Sequence, residues 1–153
     1  MANKNKKEKF GFWLSIITIL LLLIHPTILV LGGIFILIDL LSFTGYNDLI
    51  TYQIFTSIIS FILGAFSFIV GLNLWKRNKK APELAKIYLI INFILSIIFY
   101  IIDNYFLSMY KGLEEYGYGW GGMGPIFGSL IWLWYFNVSK KVKKIYGHSK
   151  LGN

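Results

Sequence analysis

Four long apolar runs alternate along the chain with short polar segments. The second and third runs, residues 53–75 and 87–107, are each close to the ~20 residues with which a helix crosses the ~30 Å hydrocarbon core of a bilayer. The fourth run starts in a segment rich in glycine and aromatic residues, YGYGWGGMG, which can be a loop, an interfacial anchor or a helix start. The pattern predicts an all-α integral membrane four-helix bundle, a single transmembrane domain over residues 1–153, with helices at about 12–38, 53–75, 87–107 and 119–138.

The first apolar run is too long for one straight crossing. It extends over residues 10–43 with Asp39 as its single charged residue, which corresponds to about 51 Å of helix. Pro26 removes a backbone donor, and Gly32 and Gly33 weaken the helix further along. We therefore expect a kink near Pro26 followed by an interfacial turn on the outer side, rather than two crossings.

The charges decide the orientation. The chain has 15 basic and 7 acidic residues, a formal net charge of +8. All the basic residues except Lys111 fall into three clusters: Lys4, Lys6, Lys7 and Lys9; Lys76, Arg77, Lys79, Lys80 and Lys86; Lys140, Lys141, Lys143, Lys144 and Lys150. Because Lys and Arg are enriched in cytoplasmic flanks, all three clusters should face the cytoplasm, which requires an even number of crossings between them. We expect a multi-pass cell-membrane protein with cytoplasmic N and C termini.

The composition of the chain limits the classes of function that we expect for it. Hydrophobic residues make up 56% of the chain and charged residues 14%, against about 25% charged residues in soluble domains. The absence of cysteine removes thiolate nucleophiles and sulfur-ligated metals, and the two histidines, His25 and His148, are far apart in sequence. We expect no catalytic residue, no metal and no cofactor, and so no enzyme. The predicted partners are the lipid bilayer and either another copy of the chain or a larger membrane complex, with no nucleic acid.

Small and polar residues follow one face of the second helix. They recur at steps of three and four residues: Gln53, Ser57, Ser60, Gly64, Ser67 and Gly71. Small residues let helices in lipid approach closely, so Ser60, Gly64, Ser67 and Gly71 are predicted to form a helix-packing face. The alternative is a lined pathway for a ligand. We expect the fourth-helix glycines to pack in the same way: Gly121, Gly124 and Gly128.

Polar side chains on the first and third helices share the predicted interior of the bundle. His25 and Asp39 lie on one face of the first helix, and Asn92 and Asp103 lie on a polar stripe of the third. Ionisable groups inside a membrane are costly and should face the interior. We predict a polar pocket of His25, Asn92 and Asp103 in the outer half of the bundle. The alternative for His25 is structural, a hydrogen bond to a backbone carbonyl freed by Pro26.

The chain resembles a known family in four places. These are the opening GFWLSIITILLLLIHP, the basic hairpin WKRNKKAP, Asp103 near the outer end of the third helix, and the closing SLIWLWYFNVSKKVKKIYG. Together they look like the bacterial four-helix inner-membrane proteins of the domain of unknown function 2569 family. The resemblance implies a membrane-embedded four-helix fold and supplies no catalytic residue.

Two functions remain open at this point. The first is a non-enzymatic interaction or accessory subunit, which four short-looped helices with small-residue faces would suit. The alternative is a small oligomeric transporter or channel for a small solute or proton, because a single four-helix chain would have to associate to enclose a path.

Overall fold

A computed structural model of the chain describes residues 11–42, 47–109 and 123–147, without the side chains of Asp39, Ser42 and Leu107. Within these ranges the regular structure is entirely helical and includes no strand. The elements in chain order are α1 Phe12–Ile19, a π-helical turn Leu20–Ile24, α2 His25–Ser42, α3 Asn47–Trp75, α4 Ala81–Met109, α5 Gly124–Val138 and α6 Lys140–Tyr146.

Three helical segments are long and apolar enough to cross a membrane: Phe12–Ile38, Asn47–Trp75 and Ala81–Phe106. We call Phe12–Ile38 the first span. Helices α3 and α4 each begin several residues before the apolar runs predicted at 53 and 87, because a helix continues past the bilayer core into polar flanks. Each carries an acidic residue in its first turn, which the positive end of the helix dipole stabilises. The 15 residues of α5 are about 22 Å long.

The first span remains helical throughout, and its irregularity is a π-helical turn. The backbone N–H of His25 bonds to the carbonyl of Leu20, one residue further back than in an α-helix. The turn directly precedes Pro26, which has no N–H to continue the regular ladder. The expected interfacial turn after Pro26 is wrong for residues 26–42, because α2 continues through Gly32 and Gly33 to Ser42.

Helix α3 lies against the first span at very short range. A Cβ atom added to Gly71 would lie 2.5 Å from Leu22 Cα, and one added to Gly64 would lie 3.3 Å from a methyl group of Val30. Ser60 and Ser67, on the same face, are fully buried. This contact depends on the absence of side-chain bulk, as in close helix pairs in membranes generally.

One end of the bundle is tied together by α6, and we call it the α6 end. The Tyr146 hydroxyl donates to the Leu74 carbonyl near the end of α3 at 2.9 Å. A Cβ atom on Gly11, at the start of α1, would lie 3.2 Å from Cγ of Lys141. The start of the first span, the end of α3 and helix α6 therefore meet at one end of the molecule.

Candidate functional site: a cavity between the first span and α5

A cavity of about 200 Å³ lies where the first span, α4 and α5 come together. Most of its wall is apolar, and the lining side chains that contain polar atoms are His25, Tyr88, Asn92, Ser129 and Trp132. The remaining lining residues are Ile17, Leu20, Leu21, Leu89, Pro125 and Gly128. The site is thus an apolar chamber with a few hydrogen-bonding groups, a composition typical of small-molecule sites.

The cavity exists because α5 lacks bulk on the side facing the first span. Among the described residues outside α5 itself, no atom lies within 4 Å of a Cβ placed on Gly124 or Gly128. Contrary to the prediction, these two glycines therefore do not pack closely against another helix of the described chain, and Gly121 lies outside the described residues. Nearer the α6 end the indole rings of Trp13 and Trp132 meet edge to face, 6.4 Å apart. The first span and α5 thus touch near Trp132 and leave a space further along.

His25 is held in the cavity wall by Tyr88. The Tyr88 hydroxyl and His25 Nδ1 share a hydrogen bond of 2.6 Å, and the two rings are perpendicular. Tyr88 is itself fully buried, with Phe66 packed edge to face against its ring. The expected bond from His25 to a backbone carbonyl is replaced by this side-chain bond. Nε2 is then the ring nitrogen that can bond a molecule in the cavity.

The π-helical turn explains why Ser67 belongs to the same region. With the His25 N–H bonded to Leu20, and with no N–H on Pro26, the Leu21 carbonyl lacks its usual partner in the helix. The Ser67 hydroxyl donates to this carbonyl across the helix interface at 2.9 Å. Ser67 also interacts with the Tyr88 hydroxyl. The irregular backbone, Ser67, Tyr88 and His25 therefore form one connected polar network.

Asn92 and Ser129 join α4 and α5 at the cavity. Asn92 Nδ2 donates to Ser129 Oγ at 3.0 Å, and both side chains are buried. The carbonyl of Asn92 also accepts a bond from Ser96 Oγ at 2.7 Å. Sequence reasoning did not single out Ser129, whose only signal is a small polar residue inside an apolar helix. Tyr88 was on the predicted polar stripe but was not assigned to the pocket.

Asp103 lies elsewhere. Its carboxylate accepts a hydrogen bond of 2.5 Å from the Tyr52 hydroxyl, and the Tyr52 ring lies against Phe99 and Phe106. Eleven residues separate Asn92 from Asp103 on α4, which is about 16 Å along a helix. The structure therefore brings together two of the three predicted pocket residues, His25 and Asn92, and places Asp103 outside the cavity lining.

Within the described ranges, no group of three His, Asp or Glu side chains is arranged to hold a metal ion. The polar groups on the lining residues are an imidazole, a phenol, an amide, a hydroxyl and an indole N–H, which suit hydrogen bonding to a neutral guest.

Comparison with known proteins gives one match. The family model described as "Protein of unknown function (DUF2569)" matches residues 7–147. No curated protein and no solved structure matches the chain. Because the family match covers nearly all of the 153 residues, this chain belongs to the DUF2569 family.

Proposed function

We propose that this protein crosses the cell membrane four times with both termini in the cytoplasm, and that its cavity binds a small, mainly apolar molecule carrying one hydrogen-bonding group. The role is binding without covalent chemistry. The observation that carries it is the chamber of about 200 Å³ with His25 in its wall.

The four-crossing topology is supported by the arrangement of the helix ends. Three segments have the length and hydropathy of membrane spans, and the apolar helix α5 would supply the fourth. The first span starts, and α6 follows α5, at the same end of the bundle. That end carries the second basic cluster and the α6 lysines of the third, which favours a cytoplasmic position.

The absence of cysteine gives a clean test of this topology. A single cysteine added at either terminus should stay unlabelled by a membrane-impermeant maleimide in intact cells. It should be labelled once the cells are permeabilised, which controls for reactivity. Labelling of either terminus in intact cells would contradict the proposed orientation.

The size and lining of the cavity indicate the class of guest. A dry apolar cavity of about 150 Å³ is sufficient for benzene, so about 200 Å³ suits a somewhat larger ring or a short branched chain. Asn92 and Ser129 bond to each other, and His25 uses one nitrogen for Tyr88. The second imidazole nitrogen can then bond a matching donor or acceptor on a guest, as can the Ser129 O–H and the Asn92 carbonyl oxygen, which the bond between Asn92 and Ser129 does not use.

Access to the cavity is lateral. Gly124 and Pro125 are exposed at the start of α5, and His25 is only half-buried. In a membrane such an opening faces acyl chains, so a guest dissolved in the lipid can enter without first crossing water. A transporter or channel role for the same guest, the alternative predicted from sequence, would begin with this binding step.

The accessory-subunit role has less geometric support. It relied on small-residue faces that could contact another protein, and the face on α3 is already covered by the first span of the same chain. The cavity, by contrast, is not filled by any part of the described chain. The small-solute function is therefore the one that the geometry favours.

Filling the cavity tests the proposal. Gly128→Leu places a side chain in the open space at the cavity wall, while Gly32→Leu adds the same bulk on α2, where no described atom is near and outside the cavity lining. The probes are phenol and toluene, which share a ring and differ by a hydroxyl. In detergent-solubilised protein, ligand-observed NMR should show phenol binding about fivefold tighter than toluene, because the hydroxyl gains a hydrogen bond.

Binding of both probes should fall at least about tenfold in Gly128→Leu, because a buried leucine side chain occupies the space of the guest. Gly32→Leu should bind like the unaltered protein, which controls for partitioning of phenol into the micelle. His25→Phe should reduce the preference for phenol over toluene and leave toluene binding in place. Equal phenol binding in Gly128→Leu and the unaltered protein would refute the cavity as the site.

A further inference from the structure

The α6 end carries a dense basic surface. Among the described residues at this end, Glu83 is the only acidic one. The basic residues are far more numerous: Lys76, Arg77, Lys79 and Lys80 between α3 and α4, Lys86 near the start of α4, and Lys140, Lys141, Lys143 and Lys144 on α6. Exposed indoles adjoin the surface at Trp13 and Trp75. Tryptophan is enriched where membrane meets water, so this surface lies at the level of the lipid headgroups.

Helix α6 presents its lysines from a fixed position. Val142 and Tyr146 are buried in the core at 3% and 4% exposure, and the Tyr146 hydroxyl bonds to Leu74. Burial raises the pKa of Tyr146 above its ordinary value, so the hydroxyl stays protonated and able to donate. Ser139 begins the helix by accepting a bond from the Val142 N–H. The four α6 lysines are exposed on the opposite side.

Arg77 occupies a backbone position that normally favours glycine. Helix α3 ends with bonds from the Arg77 N–H to Leu74 and from the Asn78 N–H to Asn73, both 3.0 Å, the pattern of a Schellman motif. The motif places Arg77 in the left-handed region, at φ 55°. A side chain is unfavourable there, because its Cβ comes too close to the following carbonyl oxygen. Such strain at a non-glycine residue is a reason to ask what its side chain does.

The guanidinium of Arg77 connects the turn to α6. It acts electrostatically on the Tyr146 hydroxyl, so the turn after α3 and helix α6 belong to one surface. Arginine is the side chain best suited to bidentate hydrogen bonding with a phosphate group.

We infer that this basic surface at the α6 end binds the phosphodiester headgroups of anionic phospholipids. The ligand follows from charge complementarity, from the adjacent interfacial indoles and from a guanidinium kept at a strained position. The inference requires insertion in a bilayer but not the proposed cavity function, so the failure of one leaves the other standing. The affinity for these headgroups should increase with the number of basic side chains at the surface, by about fivefold for each side chain.

The full-length protein in a neutral detergent provides the assay. Phosphatidylglycerol, phosphatidylcholine and inorganic phosphate are titrated separately while the thermal unfolding midpoint and the retained lipid, by native mass spectrometry, are followed. We expect phosphatidylglycerol to raise the midpoint and to be retained in preference to phosphatidylcholine. An equal response to phosphatidylcholine would overturn the inference. A full response to inorganic phosphate would also overturn it, because a free anion would then be the ligand.

The variant Arg77→Gly tests the contribution of the Arg77 charge to lipid binding separately from any effect on folding. Glycine adopts φ 55° without steric cost, so the lipid-free midpoint should be unchanged or higher while the half-saturating phosphatidylglycerol concentration rises about fivefold. Lys143→Gln combined with Lys144→Gln should weaken lipid binding further. Lys111→Gln removes the one lysine outside the basic clusters and should leave lipid binding unchanged. Equal weakening in all three variants would show a general charge effect and overturn the inference.

Discussion

The first span meets α3 and α5 in opposite ways. Against α3 it is so close that a Cβ on Gly71 would lie 2.5 to 2.8 Å from backbone atoms of Leu21 and Leu22. Towards α5 it leaves a cavity, and a Cβ on Gly128 would meet nothing within 4 Å. Both interfaces use glycine on an apolar helix. The same residue type therefore closes one interface and opens the other.

The difference matters because lipid removes the usual driving force for helix association. Helices in a bilayer are held by van der Waals packing and interhelical hydrogen bonds rather than by exclusion of water. The α3 interface has both, through Gly64, Gly71 and the bond from Ser67. An unfilled space beside α5 forgoes those contacts, so acyl chains or a guest occupying it would gain them. The interface of the first span with α3 should therefore determine the stability of the fold, and the space between the first span and α5 should determine the binding of a guest.

The largest expected effect is that of Gly71→Ala. The new methyl group would collide with the Leu22 backbone, and overpacking of this kind typically costs 1–3 kcal/mol, sometimes more. Because backbone rather than a flexible side chain must move, we expect a loss of about 3 kcal/mol or more in the free energy of unfolding. Denaturant titration in mixed micelles, followed by tryptophan fluorescence, provides the measurement.

Gly128→Ala is the matched control for that experiment. It makes the same chemical change on another apolar helix, at a position with open space, and should alter the free energy of unfolding by no more than about 0.5 kcal/mol. Equal losses in the two variants would show that the two interfaces do not differ as the structure indicates.

Hydropathy and spacing predict much of this fold. Residues 12–38 were expected to form the first helix, and the structure contains a candidate span over Phe12–Ile38. The three-and-four spacing on α3 identifies a face that the structure places against the first span. Both follow from local periodicity, which depends on the helix repeat alone.

The π-helical turn was not predictable in the same way. Pro26 indicates that the ladder is disturbed, but the sequence alone allows a kink, a break or a π turn. The structure has a π turn, and Ser67, 46 residues away, supplies a donor to Leu21. A local irregularity whose polar groups are satisfied by a distant side chain cannot be read from neighbouring residues.

For the candidate site, the sequence predicts which face of α4 carries the polar residues but not how far along the helix each of them lies from the cavity. Asn92 and Asp103 share a stripe on α4, and that stripe correctly reports a common face. The distance of about 16 Å between them along the helix separates Asp103 from the cavity. Gly124 and Gly128 have the chemistry of packing residues, and only the placement of α5 relative to the first span shows that they border open space.

A smaller effect, about 1–2 kcal/mol, is expected for Ser67→Ala, because it leaves the Leu21 carbonyl without its donor. Ser60→Ala is the matched control. Ser60 is equally buried on the same face, but its hydroxyl bonds to Thr56 in its own helix, where the carbonyl already accepts a backbone bond. Its loss should be about 0.5 kcal/mol or less.

The cause of the Ser67 effect can be isolated by restoring the backbone donor that proline removes. Pro26→Ala introduces an N–H five residues after Leu21, in the register that His25 already uses toward Leu20. With that donor present, Ser67→Ala should be less costly by about 0.6 kcal/mol or more. The measurement is a double-mutant cycle on the free energy of unfolding. If the two losses simply add, the Leu21 carbonyl is not what Ser67 satisfies, and the close interface with α3 is held by packing alone.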